Sequence, residues 1–187
     1  QNLLRYSLIQ SFSNRIIWLY KEWQPIYDEL KNSYQNIEFY HDIPSDILNS
    51  ISASERNLVV LDDLMSSAGS SKQISQIFTQ EAHHRNLTVI FIVQNVFYRG
   101  NEMRTISLNA HYMVLYKNPR DKSQIRYLAS QIFPQNKKFL VNAFEHATRT
   151  PHSYLILDLH PETTEEFQVL TNIFPGERIR FYIQSQV

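Results

Sequence analysis

The chain has 187 residues, of which 43% are hydrophobic and 13% aromatic, so one domain can bury about two-thirds of its unfolded surface. It contains no cysteine, which excludes disulfide bonds and thiolate metal sites. Lys+Arg and Asp+Glu both number 18, without the basic excess typical of a monomeric DNA-binding module. A ring of subunits with a few cations on its pore loops stays compatible with this balance, because net charge does not report where charges lie. No apolar run approaches the roughly 18 residues of a membrane-spanning helix, and nothing at the N-terminus has the pattern of a signal peptide.

In chain order, the first part of the sequence alternates helical and β-prone patterns. Apolar residues recur at helical spacing in residues 2–12, which predicts an amphipathic helix. Arg15–Tyr20 (RIIWLY) is too short for a helix and apolar on both faces, so it predicts a buried strand. A helix is expected from Pro25, because proline suits the first helical turn. A strand at Ile37–Tyr40 and a short helix at residues 44–48 follow.

The middle of the chain contains the two most apolar strand patterns. Asn57–Leu61 is a run of branched apolar residues that ends in two aspartates, and Thr88–Val93 (TVIFIV) ends at Gln94. A loop at residues 66–71 and a helix at Lys72–Arg85 are predicted between them.

The last part of the chain continues the alternation. Its predicted elements are a strand at Tyr112–Tyr116, helices at about 120–132 and 136–147, a strand at Tyr154–Leu157, a helical turn near 163–172 and a strand at Ile179–Ile183. Strands that are apolar on both faces and alternate with helices indicate a mostly parallel or mixed sheet covered on both sides. We therefore expect a single α/β domain over residues 1–187.

The segment Leu58–Asp63 (LVVLDD) has the pattern of a Walker B strand, the acidic edge of a P-loop-type ATPase core. Ligands of open α/β sheets bind beyond the carboxyl ends of the strands. Asp62 would then hold a hydrated Mg²⁺ largely through water, and Asp63 could polarise the attacking water as general base. The alternative is a buried strand that ends in a solvated turn, with the aspartates capping the next segment.

Gln94 follows the next strand along the chain, after an intervening helix. In ATPases of this class a polar residue beside the Walker B strand senses the γ-phosphate and orients water. A sensor role for Gln94 and a simple capping role both stay open.

Two arginines are candidates for the finger that stabilises charge at a neighbouring subunit's phosphate in ring-forming ATPases. Arg104 and Arg120 both follow the sensor strand, and each could equally be an ordinary surface residue.

The phosphate-binding motif GxxxxGK[ST] does not occur in the 187 residues, because Gly69, Gly100 and Gly176 are isolated from one another. Residues 68–72 (AGSSK) imitate it only superficially, since they follow the acidic strand and lack the second glycine.

Taken together, several segments resemble one family, the genome-packaging ATPases of the HerA/FtsK superfamily carried by Maverick/Polinton elements, adintoviruses and related double-stranded DNA viruses. The segments are RIIWLYKEWQPIYDEL, NLVVLDDLM, FTQEAHHRNLTVIFIVQN, MRTISLNAHYMVLYKNPRDKSQIRYLA and LILDLHPETTEEF…NIFPGE, within residues 15–178. The resemblance implies a P-loop NTPase-like fold of the RecA/ASCE type, and a homo-oligomeric ring that uses Mg²⁺ and ATP to drive double-stranded DNA into a capsid. Asp62 and Asp63 match the family's Walker B acids and Gln94 its sensor amide. The resemblance further implies capsid or portal proteins as partners, no membrane, and a location in the host nucleus, a viral factory or the virion.

The chain departs from the family where a first strand and its GxGK[ST] loop would precede residues 1–12. It is therefore expected to be either a fragment of a longer ATPase or a non-catalytic, domesticated or decayed relative that serves as a binding or structural module. In the family the first strand lies between the sensor strand and the strand at Tyr112–Tyr116. Without it, those two strands would pair with each other or leave unpaired edges, which are costly to bury.

Overall fold

The structure is a computed structural model that describes residues 2–8, 14–52, 54–64, 72–78, 86–95 and 101–185. The chain divides into two compact units, Gln1–Asn109 and Ala110–Val187. Each unit is built on its own four-stranded sheet. That residues 1–187 form a single domain stays a prediction.

The first unit contains an all-parallel sheet with the strand order β2-β1-β3-β4. Its strands are β1 (Arg15–Tyr20), β2 (Ile37–His41), β3 (Asn57–Asp62) and β4 (Leu87–Ile92). These bounds agree with the predicted strands to within one residue at each end. β1 and β3 lie in the middle, which explains why their sequences are apolar on both faces.

Helices cover both faces of the parallel sheet. The helices of this unit are α1 (Asn2–Arg5), α2 (Pro25–Ser33), α3 (Lys72–Gln76) and α4 (Asn101–Asn109), with a 3₁₀ turn at Ile47–Ser50. On one face α2 buries Leu30 against Leu58 and Val60 of β3. On the other face Val59 and Leu61 share a core with side chains from α3 and α4. The predicted α/β class with a parallel sheet and helices is therefore confirmed.

The second unit contains an antiparallel sheet in the order β5-β6-β7-β8. Its elements are β5 (Tyr112–Tyr116), α5 (Ser123–Ile132), α6 (Lys137–Ala147), β6 (Tyr154–Asp158), a 3₁₀ turn at Glu165–Phe167, β7 (Val169–Thr171) and β8 (Arg180–Phe181). α5 and α6 pack on one face of this sheet. A mostly parallel sheet is predicted for the whole chain, and this half differs. The reason is that two helices joined by a short loop return the chain to the end where β5 finished, so β6 runs back along it.

Four strands lie at sheet edges and have a strand partner on one side only in the described part of the chain. They are β2 and β4 in the first sheet, and β5 and β8 in the second sheet. Apolar side chains remain exposed there, among them Ile92 at 43% and Tyr112 at 60%.

Some local assignments differ from the sequence predictions. Helix α4 is not predicted, because its buried face consists mainly of Met103 and Ile106 and gives little helical periodicity. The helical turn predicted near 163–172 is present as the 3₁₀ turn at Glu165–Phe167, and the last part of that range forms the short strand β7. The helix predicted at 2–12 is shorter in the structure, because α1 ends at Arg5 and Ser7, with a φ of 52°, lies in the turn that follows. Residues 9–13 lie outside the described residues, as do the loop at 66–71 and residues 79–85 of the predicted Lys72–Arg85 helix. No helix among the residues described is long and apolar enough to cross a membrane.

Candidate functional site

The carboxyl ends of the four parallel strands meet at one edge of the first sheet. In the register of the sheet, Asp62 at the end of β3 lies between Tyr20 of β1 and Ile92 of β4. Residues that follow directly at this edge include Lys21, Asp42, Asp63 and Gln94. This is the place where open α/β sheets bind their ligands.

Asp62 and Asp63 differ in their surroundings. Asp62 is half-buried, and its Oδ2 accepts a hydrogen bond from the Tyr27 hydroxyl at 2.9 Å. Asp63 is exposed and has a φ of 56°, in the left-handed region that Asp tolerates better than most residues. Neither carboxylate forms an ion pair with another described residue. The turn after β3 therefore presents one oriented carboxylate and one open to solvent.

Tyr27 reaches Asp62 from the first turn of α2. Pro25 begins this helix, and the helix buries Tyr27 completely against the sheet. Its ring lies within 5.5 Å of the rings of Trp18, Tyr20 and Phe39, measured between centroids. The aromatic cluster holds the phenol ring in place, so that the buried hydroxyl is directed at Asp62.

Burial raises the pKa of the Tyr27 phenol well above its ordinary value, and the hydrogen bond and negative charge of Asp62 raise it further. The charge of Asp63 has a smaller effect in the same direction, while the nearby Trp18 indole opposes it. The buried Trp18 Nε1 has no hydrogen-bond partner among the described residues. Tyr27 consequently stays protonated and remains a donor to Asp62 throughout the physiological pH range.

An ion pair that is not predicted from the sequence lies at the same edge, between the residue that follows β1 and the residue that follows β2. Lys21 Nζ donates to both carboxylate oxygens of Asp42, at 2.9 and 3.1 Å. This bond lowers the pKa of Asp42 below its ordinary value. The visible signal in the sequence is a lysine directly after RIIWLY and an aspartate directly after IEFYH. Lys21 is therefore bound to Asp42 and does not neutralise Asp62 or Asp63.

Gln94 lies two residues beyond Ile92, the β4 residue that pairs with Asp62. Neighbouring strands are separated by about 4.8 Å, so the amide and the acids occupy adjacent positions of one edge. The Gln94 side chain is exposed. The structure thus brings together the three residues singled out in sequence, and their chemical roles stay predictions.

The two candidate arginines belong to different compact units of the chain. Arg104 is exposed on α4, and its side chain forms no ion pair or hydrogen bond with Asp62 or Asp63. Arg120 belongs to the second unit, where its backbone N–H donates to Asn118 Oδ1 at 3.0 Å. A finger role for either arginine stays a prediction.

The donor atoms at this edge suit Mg²⁺. The Oδ1 of Asp62 accepts no hydrogen bond from a described residue, and the carboxylate of Asp63 is open to solvent. No group of three or more His, Asp or Glu side chains that could hold a metal occurs in the described ranges. Mg²⁺ does not require such a group, because it keeps several waters and takes one or two carboxylates.

Comparisons of the chain with protein-family models, with curated protein sequences and with solved structures find no match. The case for a function therefore rests on the residues at the carboxyl edge of the parallel sheet. Those residues are Asp62, Asp63 and Gln94, together with the hydroxyl of Tyr27.

Proposed function

We propose that this chain provides the acidic half of a P-loop-type ATPase core, in a DNA-packaging motor of the HerA/FtsK kind. The observation that supports the proposal best is the position of Asp62 and Asp63. They end a strand that is buried on both faces in the middle of an all-parallel sheet. Gln94 follows the adjacent strand, in the order expected for a Walker B acid pair and its sensor.

Each residue of this edge has a separate task in the proposal. Asp62 is oriented by Tyr27 and keeps Oδ1 for a magnesium-bound water. Bound Mg²⁺ would supply neutralising charge at the nucleotide phosphates. Asp63, which is exposed and unpaired in the described structure, accepts the proton of the attacking water. Gln94 orients that water from the neighbouring strand.

Hydrolysis in this proposal also needs groups beyond the acidic edge. A phosphate-binding loop supplies backbone N–H groups and a lysine, and these 187 residues contain no such motif. An arginine from a neighbouring subunit, with Arg104 and Arg120 as the candidates, completes the site in a ring. Double-stranded DNA and the capsid or portal are the proposed partners of that ring.

The proposal is tested by the ATPase rate of the full-length protein, measured with and without double-stranded DNA. Asp63→Asn should lower turnover by about 10²-fold or more, the usual contribution of a general base. Asp42→Asn is the matched control, because it removes a carboxylate at the same edge that Lys21 already neutralises. Absence of ATP hydrolysis by the full-length protein, or an unchanged rate in Asp63→Asn, would contradict the proposal.

The absence of a GxxxxGK[ST] motif from these residues supports a second candidate, a non-catalytic relative that acts as a binding or structural module. This candidate predicts that the 187-residue chain does not bind Mg-ATP. Isothermal titration calorimetry with Mg-ATP tests this prediction. Micromolar binding of Mg-ATP by this chain would refute the non-catalytic candidate.

A further inference from the structure

A basic cleft opens between α5 and α6 in the second unit. Its volume is about 310 Å³, and its lining residues are Arg126 and Ser130 of α5, with Lys137, Lys138, Val141 and Asn142 of α6. Three of the six are cations and none is acidic. The Ser130 hydroxyl donates to the Arg126 carbonyl oxygen at 3.0 Å, so the Asn142 amide is the uncharged side-chain donor of the cleft. The cleft is thus suited to an anion by both its charge and its donors.

These cations are not neutralised by the part of the chain that the structure describes. No ion pair involves Arg126, Lys137 or Lys138. Residues 117–142 contain six Lys or Arg and a single acid, Asp121. The carboxylate of Asp121 accepts hydrogen bonds from Ser123 and Gln124 at the start of α5. Positive charge is therefore concentrated in this segment of a chain whose net charge is zero.

The placement of the lysines works against helix stability. Lys137 and Lys138 are the first two residues of α6, and neither α5 nor α6 has an acidic residue in its first turn. The N-terminus of a helix carries partial positive charge, so cations are unfavourable there and anions favourable. The Asn136 side chain caps the N–H of Phe139, whereas the backbone N–H groups of Lys137 and Lys138 donate to no described residue. A bound anion would satisfy these donors and offset the repulsion.

The shape of the charged surface indicates a chain of phosphates rather than a single one. Lys122, the N-cap of α5, and Arg126 are spaced four residues apart, which places them on one face of the helix. At 1.5 Å per residue these two cations are about 6 Å apart along the helix, so with Lys137 and Lys138 at the start of α6 they form a charged surface wider than one phosphate. We propose that the α5–α6 cleft binds the phosphodiester backbone of a nucleic acid. The site lies within the second unit, and the inference does not depend on the ATPase proposal.

The test is fluorescence anisotropy with the 187-residue protein and labelled 20-nucleotide probes, one single-stranded and one duplex, over a range of KCl concentrations. The variant Arg126→Gln/Lys137→Gln/Lys138→Gln should lower affinity by roughly 10- to 100-fold near 0.1 M salt. Its log–log salt slope for the single strand should fall by about 2, since each lost phosphate contact contributes about 0.7. Comparison of the two probes shows which form of backbone the cleft prefers.

The control variant Arg149→Gln/Arg178→Gln/Arg180→Gln removes the same charge from exposed positions of the same unit that do not line the cleft. It should change affinity by no more than about threefold. Equal losses in both variants would overturn the proposal, as would absence of binding by the unmodified protein. Equal competition by polyglutamate, or by inorganic phosphate at the same concentration of phosphate groups, would also overturn it. Thermal melting of each variant shows that lost binding does not reflect unfolding.

Discussion

The contact between Tyr27 and Asp62 is predicted to stabilise the first unit and to orient the acidic edge. Tyr27→Phe deletes the hydroxyl that donates to Asp62 at 2.9 Å and retains the fully buried ring. The cavity left by one oxygen atom is small. The measured loss of stability should therefore report the hydrogen bond itself.

A hydrogen bond to a charged group contributes about 1.5–3 kcal/mol. Asp62 is only half-buried, so water replaces part of the lost interaction and the loss should fall near the lower end of that range. We expect Tyr27→Phe to lower the free energy of unfolding by about 1–2 kcal/mol. For a chain of this size each kcal/mol corresponds to about 2–4 °C in Tm.

Urea unfolding followed by tryptophan fluorescence is a suitable assay, because both tryptophans, Trp18 and Trp23, belong to the first unit. Tyr20→Phe is the matched control. Its ring belongs to the same aromatic cluster, but its hydroxyl has no hydrogen-bond partner among the described residues. It should change stability by about 0.5 kcal/mol or less.

A double-mutant cycle of Tyr27→Phe with Asp62→Ala isolates the pair. A coupling energy of about 1 kcal/mol is expected for two residues in direct contact. If Tyr27→Phe and Tyr20→Phe have equal effects, or if the coupling is zero, the hydrogen bond does not stabilise the fold and the reasoning fails.

Three further predictions concern pH and helix electrostatics. Burial raises the pKa of Tyr154 to about 12. The stability that this shift contributes is therefore complete below the unfolded pKa near 10 and is lost as the pH rises toward 12. Urea unfolding followed by circular dichroism should show that stability falls above about pH 10, and the fall should be less steep in Tyr154→Phe. The Arg15 guanidinium, 2.8 Å from the carboxylate of Glu38, lowers the pKa of that carboxylate, so the stability that the pair contributes is present above the unfolded pKa and is lost as acid brings the pH through the folded pKa. Glu38→Gln should lower the free energy of unfolding by about 0.5–1 kcal/mol at pH 7, because solvent screens this part-exposed pair. A smaller pH dependence of stability in the wild type than in Glu38→Gln between about pH 3 and 5 would contradict this prediction. Lys137→Gln/Lys138→Gln should stabilise α6 by about 0.3–1 kcal/mol per residue, seen as a higher Tm, whereas Lys122→Gln alone should have at most half the effect.

Local sequence was sufficient to predict the strands of the first sheet and the ends at which their polar residues emerge. RIIWLY and NLVVLDD consist of branched and aromatic residues too short for a helix, and the structure confirms them as β1 and β3. Because parallel strands end at one edge, Asp62 and Gln94 could be placed together from their positions in the chain alone. Helix α4 could not be predicted in this way, since only its packing against the first core stabilises so weak a pattern.

The sequence by itself determined the acid pair, the buried strands that carry it and the absence of a phosphate-binding motif, because each depends on residues that are adjacent in the chain. Only the tertiary structure showed that Tyr27 supports Asp62, since these residues are 35 positions apart and meet because α2 packs on the sheet. It likewise decided that the second sheet is antiparallel, through the helical pair between β5 and β6. The basic cleft also depends on tertiary structure. A net charge of zero gives no indication of it, and only the packing of α5 against α6 brings Arg126 and the two lysines to a common surface. Contacts between distant residues depend on how faces pack, and composition and periodicity do not contain that information.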